Sequence, residues 1–302
     1  MAPFSFLVTG GSSGLGLEIS LAGLRAGHKV IATSRDAAKA AASHPQLERL
    51  GGKWLQLDVD QSSATAIVAQ TVKQHGVNVL VNNAAYGLLG SLEDTGECEF
   101  SAQLNTNIFG PYRTIRGALP YFRSLKPRGG ATIVNISSMA TLEPWPGLSA
   151  YTASKCALQG LSEVLAAEAG PHGVRTILID LGIFRTAFLS HTTKPSAGLG
   201  AAYLGGAVDK TVAFLDGLAG QQPGDPVLAA ERIIEVVEGS GIAAELGLND
   251  KGFEAVLRVP LGTDAAEAAV AASSKLKAAS HHLRRLATST DFVGEDAEAA
   301  SA

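Results

Sequence analysis

The sequence has 302 residues, of which 46% are hydrophobic and 17% charged, so most of its apolar side chains can be buried in a packed core. This composition excludes a disordered or fibrous protein. The formal net charge is -4, from 24 basic and 28 acidic residues without long runs of one sign, so nothing in it indicates a nucleic-acid or anionic-membrane partner.

The first half of the chain alternates short β-branched apolar runs with longer stretches of helical spacing. The predicted strands are Phe4 to Thr9, Lys29 to Thr33, Trp54 to Val59, Val77 to Asn82, Ala131 to Ser137 and Val174 to Asp180. The predicted helices are 14–26, 61–75, 97–124 and 150–169. This alternation predicts an α/β fold: βαβ units that form a parallel sheet covered by helices on both faces, in a three-layer α/β/α arrangement.

The alternation of strands and helices stops after Asp180. Residues 186–225 are rich in Gly and Ala and are interrupted by Pro, which favours an inserted substrate loop over another βαβ unit. A helix at 227–239, a short strand from Leu257 to Leu261 and an Ala-rich helix at 264–286 complete the prediction. We therefore expect one domain over 1–290 and a flexible tail over 291–302.

Cellular location and redox state are also constrained. The two cysteines, Cys98 and Cys156, are expected to be reduced core thiols, because a chain of this size folds without disulfides. The first residues form a strand-like run without the basic and long apolar regions of a secretory signal. No stretch approaches the ~18 uncharged apolar residues of a membrane span. These features favour a cytoplasmic protein with no membrane partner, and no His, Cys and carboxylate spacing indicates a metal site.

A glycine-rich turn joins the first strand to the first helix. It reads Thr9-Gly10-Gly11-Ser12-Ser13-Gly14-Leu15-Gly16. Glycines allow a tight turn there and let backbone N–H groups approach a pyrophosphate at the positive end of the helix. The same residues satisfy the G-x-S-x-G elbow of serine hydrolases, with Ser12 as nucleophile. That alternative requires an acid and a histidine at strand ends, and the sequence offers no convincing pair.

An ordered set of motifs resembles the classical branch of the short-chain dehydrogenases/reductases. After the glycine turn come Asp58-Val59, Asn82-Asn83-Ala84-Ala85, Asn107-Ile108-Phe109-Gly110, Asn135-Ile136-Ser137-Ser138 and Tyr151-Thr152-Ala153-Ser154-Lys155. The resemblance is strong over residues 4–190 and implies a Rossmann-like, doubly wound parallel sheet. Two positions depart from the family pattern: Ala85 replaces a glycine, and Leu181 replaces a proline, which is expected to loosen the backbone beside the nicotinamide.

Tyr151 and Lys155 lie one helical turn apart and project from one face. A neighbouring ammonium favours a phenolate, so we expect Lys155 to lower the pKa of Tyr151. The resemblance implies that Tyr151 is the general acid or base, that Lys155 also binds the nicotinamide ribose, and that Ser138 bonds the substrate oxygen. It implies further that Asn107 holds a water in a proton relay. Ser137 should point to the opposite face of its strand.

The resemblance also implies a set of cofactor-binding residues. They are Gly10, Ser12, Ser13, Gly14, Leu15, Gly16, Arg35, Asp58, Val59, Asn82, Tyr151, Lys155, Phe184 and Thr186. The family's NAD-binding aspartate at the end of the second strand corresponds to Ser34 here, and Arg35 follows it. A guanidinium without an opposing carboxylate favours NADP over NAD, while Asp36 is expected to cap the next helix.

The resulting hypothesis is an NADPH-dependent oxidoreductase that transfers a hydride between the nicotinamide and a ketone or secondary alcohol. Apolar and aromatic residues over 142–148, with Phe184, Phe188 and Leu189, favour a bulky apolar small molecule as substrate. A catalytically silent NADP-binding sensor is the alternative. By analogy with the family, a homodimer or homotetramer would pack through the helices at 97–124 and 150–169.

Overall fold

A computed structural model describes residues 3–126, 130–248 and 258–292. Seven strands in these ranges form one sheet in which every paired neighbour is parallel, in the order β3-β2-β1-β4-β5-β6-β7. The strands are β1 Ser5–Val8, β2 Lys29–Ser34, β3 Lys53–Gln56, β4 Val79–Asn82, β5 Ala131–Ile136, β6 Val174–Leu181 and β7 Arg258–Leu261. The strand order reverses between β1 and β4, which is where a doubly wound sheet opens a ligand-binding crevice.

Helices cover both faces of this sheet. They are α1 Gly14–Arg25, α2 Ala37–Ser43, α3 Pro45–Arg49, α4 Ala64–His75, α5 Glu97–Leu104, α6 Gly110–Arg123, α7 Ser149–Ala169, α8 Ala207–Leu218, α9 Pro226–Glu238, α10 Gly241–Glu245 and α11 Thr263–Thr288. The predicted three-layer α/β/α fold is confirmed.

Two apolar cores hold the layers together, because side chains alternate between the faces of each strand. On β1, Phe6 and Val8 pack with α1 and α9 on one face. Leu7 packs on the other face with α4, α6 and the C-terminal part of α7. All three β1 side chains are fully buried, as expected for a strand in the middle of a parallel sheet covered on both sides.

The single helix predicted at 97–124 is wrong, because the structure divides this segment into the two helices α5 and α6. A π-helical segment at Asn105–Phe109 separates α5 from α6, and the N–H of Gly110 donates to Asn105 O, five residues back. Pro111 explains the widening, because a proline has no N–H for the carbonyl of residue 107 and its ring would collide with that carbonyl. The chain therefore bulges at Asn107.

Several smaller differences follow from local sequence. The helices α3 and α10 were not predicted, since each is short and weakly periodic, whereas α2 is the helix expected after Asp36. The segment 186–225 contains α8 as well as loops. Cys98 and Cys156 are free but exposed, so placing them in the core was wrong; each lies on the solvent side of a surface helix. The predicted tail beyond residue 292 and the predicted strand residue Leu257 lie outside the described residues.

Within the described ranges, no helix is both long enough and apolar enough to cross a membrane.

Candidate active site

The glycine turn between β1 and α1 depends on glycine at three positions. Gly10 and Gly14 have φ of 65° and 51°, in the left-handed region that side chains rarely adopt. A Cβ on Gly10 would lie 2.9 Å from Ala84 Cα, and one on Gly16 would collide with Gly10 O and Asn83 Nδ2. The turn is therefore packed tightly against the end of β4.

The N-terminus of α1 is suited to an anion. Its N-cap residue, Ser13, makes no side-chain capping hydrogen bond, and its first turn has no acidic residue. The N–H groups at the positive end of the helix are thus not satisfied by the helix's own side chains. Together with the glycine turn, this arrangement fits the pyrophosphate of a dinucleotide.

One cavity of about 980 Å³ extends from the glycine turn to the C-terminal ends of β4, β5 and β6. Most of the predicted site residues line it: Gly10, Ser12, Ser13, Gly14, Leu15, Arg35, Asp58, Val59, Ser138, Tyr151, Lys155, Phe184 and Thr186. Gly16, Asn82 and Asn107 do not line it. The cavity joins the glycine turn to Ser138, Tyr151 and Lys155.

Asn82 was predicted as a cofactor contact, but its side chain lies inside the protein. Its Nδ2 donates to Asn135 Oδ1 at 2.8 Å, and its Oδ1 accepts from Thr114 Oγ1 at 2.6 Å. The next residue, Asn83, lines the cavity and donates to the carbonyls of Thr9 and Gly10 at 3.0 and 3.2 Å. The alternation of side chains at the strand end decides which of the two asparagines faces the crevice.

Asn107 lies in the π-helical segment, behind the cavity wall. Its side chain is buried and holds the backbone of Tyr86: Nδ2 donates to Tyr86 O at 3.0 Å and Oδ1 accepts from Tyr86 N at 3.2 Å. Nδ2 also lies 3.0 Å from Ser154 Oγ on α7. The amide therefore ties α7 and the strand-end loop to the bulge, and it does not contact the cavity itself.

Tyr151 stands at the cavity wall, with its ring centroid 5.7 Å from that of Phe188. Burial raises the pKa of Tyr151 to about 12, although a hydrogen bond with Ser138 acts in the opposite direction. The expected lowering of this pKa by Lys155 is therefore wrong for the protein without cofactor. Desolvation of the phenolate outweighs the neighbouring ammonium, and the phenol is fully protonated at neutral pH.

Lys155 is almost completely buried, with 3% of its surface exposed. Its Nζ donates to Ile136 O at 2.8 Å and lies 5.7 Å from the centre of the Tyr151 ring. Burial lowers the pKa of Lys155 to about 8. The ammonium is thus mostly charged at neutral pH and is held by the end of β5 near the Tyr151 ring.

Ser138 follows β5 directly. Its Oγ accepts a hydrogen bond from Ala140 N at 3.2 Å, which caps the 3-10 turn Met139–Thr141. The neighbouring Ser137 is also buried and lines the same cavity. Its predicted orientation toward the opposite face of the strand stays a prediction.

Two cationic side chains lie at the far end of the cavity beyond β2. Ser34, Arg35, Asp36 and Lys39 line it there, and Arg35 is exposed. Asp36 caps α2, accepting from Lys39 N at 2.9 Å, which confirms its predicted role. Lys39 was not predicted as a site residue. The sequence signal that could have found it is its place in the first turn of the helix that Asp36 caps, directly after β2.

Leu181 does not loosen the backbone beside the cavity. Strand β6 runs through Leu181, which pairs with Leu261 in β7, and Gly182 N donates to Leu261 O at 2.8 Å. Ile183 N is held by Asp264 Oδ2 at 2.7 Å. The backbone after Leu181 is therefore fixed by β7 and by Asp264.

The part of the cavity beyond Tyr151 is mainly apolar. It is lined by Leu89, Met139, Trp145, Leu148, Phe188 and Leu215. Trp145 is in edge contact with Phe214 of α8, at 5.8 Å between ring centroids, so the inserted segment covers this wall.

Tyr86, which was not predicted, also lines the cavity, and burial and the Asp60 charge raise its pKa. Among the described residues no cluster of His, Cys and carboxylate groups could hold a metal ion.

A doubly wound sheet whose crevice joins a dinucleotide-type turn to a Ser, Tyr and Lys cluster defines a nucleotide-dependent oxidoreductase. A family model described as "short chain dehydrogenase" matches residues 5–196. The chain belongs to the short-chain dehydrogenase family.

Named relatives agree with this assignment. The chain is 43% identical over 220 residues to "Oxidoreductase claN" of Passalora fulva, which covers 72% of this chain and 99% of that protein. It is 38% identical to human "17-beta-hydroxysteroid dehydrogenase type 1" over 202 residues, 63% of this chain and 59% of that one. A short-chain dehydrogenase structure from Streptomyces avermitilis has a TM-score of 0.77 at 30% identity and covers 96% of this chain and 100% of its own.

The chain is accordingly an NAD(P)-dependent oxidoreductase of CH–OH and C=O groups. The glycine turn and the uncapped α1 N-terminus fit the dinucleotide, which supplies or accepts the hydride, a chemistry that no side chain provides. Family membership also removes the basis for the serine hydrolase alternative at Ser12.

Proposed function

We propose that this protein is an NADPH-dependent carbonyl reductase for a bulky apolar ketone, and that it can oxidise the corresponding secondary alcohol. One observation carries the proposal: Ser138, Tyr151 and Lys155 line the same cavity as the glycine turn. A carbonyl compound held there would be next to both a proton donor and the cofactor.

Tyr151 is the proposed general acid. Its phenol is protonated at neutral pH because burial raises its pKa to about 12, so it can donate to a carbonyl oxygen that gains negative charge during reduction. Ser138, which shares a hydrogen bond with Tyr151, is proposed to bind the same oxygen. The buried Lys155 ammonium stabilises the phenolate that remains after the proton leaves.

Asn107 is proposed as a positioning residue. It contacts Ser154 and the Tyr86 backbone, so it fixes α7, which carries Tyr151 and Lys155, relative to the loop after β4. The proline-induced bulge frees the backbone carbonyl of Asn107 from its usual helical partner, and a water bound there would complete the predicted relay.

Three features support NADP over NAD. Ser34 occupies the position where a carboxylate would repel a 2′-phosphate, Arg35 is exposed at the cavity rim, and the Asp36 carboxylate is engaged in capping α2. A guanidinium can bind a phosphate through two hydrogen bonds. Lys39 adds a second cation at the same end of the cavity.

The apolar wall of Leu89, Trp145, Leu148 and Phe188 supports a substrate with a large hydrocarbon surface. The human relative named for 17-beta-hydroxysteroids has a substrate of this kind. Polycyclic ketones are therefore the first compounds to test.

The test is a fluorescence titration of the protein with NADPH and NADH, followed by measurement of NADPH oxidation at 340 nm over a panel of bulky ketones. We expect NADPH to bind more tightly than NADH and at least one polycyclic ketone to be reduced. Tyr151→Phe should lower kcat about 10³-fold with unchanged NADPH binding, while the exposed Tyr112→Phe serves as control. Tight NADPH binding with no turnover of any ketone would instead support the sensor hypothesis.

We also propose a homo-oligomer that packs through α6 and α7. Large apolar side chains are exposed on these helices: Tyr112 is 44% and Val164 57% exposed, and Phe109, just before α6, is 52% exposed. Light scattering after size exclusion should give a dimer or tetramer, and Val164→Glu should shift it toward the monomer. A monomeric wild-type protein would contradict this proposal.

A further inference from the structure

An ion pair links β7 to β6 immediately behind the catalytic cluster. Arg258 Nε donates to Asp180 Oδ2 at 2.7 Å, and the Asp180 side chain is only 2% exposed. The partners are 78 residues apart in the chain. A buried carboxylate needs such a partner, because an unpaired charge inside a protein is very costly. The guanidinium is thereby held at a defined place beside the end of β5.

The other arm of the same guanidinium reaches the segment that carries Ser138. Arg258 Nη2 donates to Thr141 Oγ1 at 3.2 Å. The Thr141 hydroxyl in turn donates to Ser138 O at 3.1 Å, and Thr141 N donates to the same carbonyl at 3.1 Å. Three hydrogen bonds in sequence therefore connect the Asp180 carboxylate to the backbone of Ser138.

We infer that Arg258 and Thr141 are positioning residues that hold the Ser138 hydroxyl toward Tyr151, with Asp180 as the buried anchor. The inference rests on the proposed role of Ser138 in binding the substrate oxygen. Ser138 is the N-cap residue of a single 3-10 turn, Met139–Thr141, whose own backbone bonds are few. Such a short turn needs tertiary contacts to keep a fixed geometry, and a catalytic group must be held within about 0.5 Å of its productive position.

The charge distribution around the guanidinium agrees with this role. Asp180 has its pKa raised by burial, while Arg258 and the Ser137 hydroxyl act to lower it. Glu163 is the further charged group that acts on Asp180. The strand that presents Arg258 continues to Leu261, whose carbonyl accepts from Gly182 N, so the same strand supports the opposite wall of the cavity.

Amide hydrogen exchange on the protein without cofactor or substrate tests this inference. Thr141→Val removes the hydroxyl at nearly constant volume and leaves the Arg258–Asp180 pair intact, and Thr141→Ser is the matched control. We expect the amides of residues 140–143 to exchange about tenfold faster in Thr141→Val and in Arg258→Met, with near wild-type exchange in Thr141→Ser. Unchanged exchange in Thr141→Val would overturn the inference.

Kinetics provide the second readout, on any ketone that the wild-type enzyme reduces. Thr141→Val should lower kcat about tenfold, and the Kd for NADPH should change less than twofold because the glycine turn is untouched. Thr141→Ser should retain most of kcat. Equal kcat in the Val and Ser variants would refute the inference. If the wild type reduces no ketone, the proposed function fails, while the exchange experiment still decides the role of Arg258 and Thr141.

Discussion

Replacing Lys155 with Met should stabilise the protein while abolishing its activity. Burial lowers the pKa of Lys155 from 10.5 to about 8, and one pKa unit corresponds to about 1.4 kcal/mol, so the charged ammonium costs the folded state about 3 kcal/mol at pH 7. In Lys155→Met the hydrogen bond to Ile136 O is lost, and this offsets about 1–2 kcal/mol of the stability gained by removing the charge. Lys155→Met should therefore be about 1–2 kcal/mol more stable than wild type at pH 7.

The pH dependence distinguishes this cause from a simple packing effect. The unfolded lysine keeps its proton up to pH 10.5 and the folded one only to about pH 8, so the wild type gains stability as pH rises between these values. The free energy of unfolding of Lys155→Met relative to wild type should therefore fall by about 2.5 kcal/mol from pH 7 to pH 10. Urea unfolding followed by tryptophan fluorescence at both pH values measures it, with the exposed Lys29→Met as control. An advantage of equal size at both pH values would refute the reasoning.

Three further predictions concern the cofactor, the pH profile and the glycine turn. Arg35→Asp should lower NADPH affinity at least tenfold and raise NADH affinity, because a carboxylate repels the 2′-phosphate; an unchanged ratio of the two Kd values would contradict the proposed cofactor preference. For ketone reduction, kcat/KM should fall as pH rises through about 8, because Lys155 loses its proton there. Tyr151 does not cause this fall, since its pKa of about 12 keeps it protonated over the same range. A profile that is flat to pH 10 would exclude this role of Lys155. Gly16→Ala should abolish NADPH binding or folding because its Cβ would collide with Gly10 O, whereas Gly217→Ala, in open space on α8, should raise stability by about 0.5–1 kcal/mol in a thermal unfolding assay.

Much of the fold could be predicted from the chain alone. The alternation of buried runs such as Val79–Asn82 with amphipathic segments requires a parallel sheet covered on both faces, and the structure has one. The break at Asn105–Phe109 was missed because hydrophobic periodicity does not register a single proline-induced bulge. Short helices such as α3 and α10 were missed since they owe their stability to packing rather than to periodicity.

The candidate site was predicted as a set of residues but not in all its contacts. The glycine turn follows from its place between a strand and a helix, Tyr151 and Lys155 follow from the resemblance to the family, and all of them line one cavity. Asn82 and Asn83 are adjacent in sequence and chemically identical, so only the direction of the strand end could decide which one faces the crevice. Lys39 entered the site because α2 turns it toward the same rim.

The sequence by itself determined the fold class, the turn that suits a pyrophosphate and the helical pairing of Tyr151 with Lys155, because these depend on residue type and on spacing within a few turns. The tertiary structure alone decided the protonation of that pair and the contact between Arg258 and Thr141. Desolvation depends on everything that surrounds a group, and Arg258 and Thr141 are 117 residues apart in the chain. Only the packing of β7 against β6 brings them together behind Ser138.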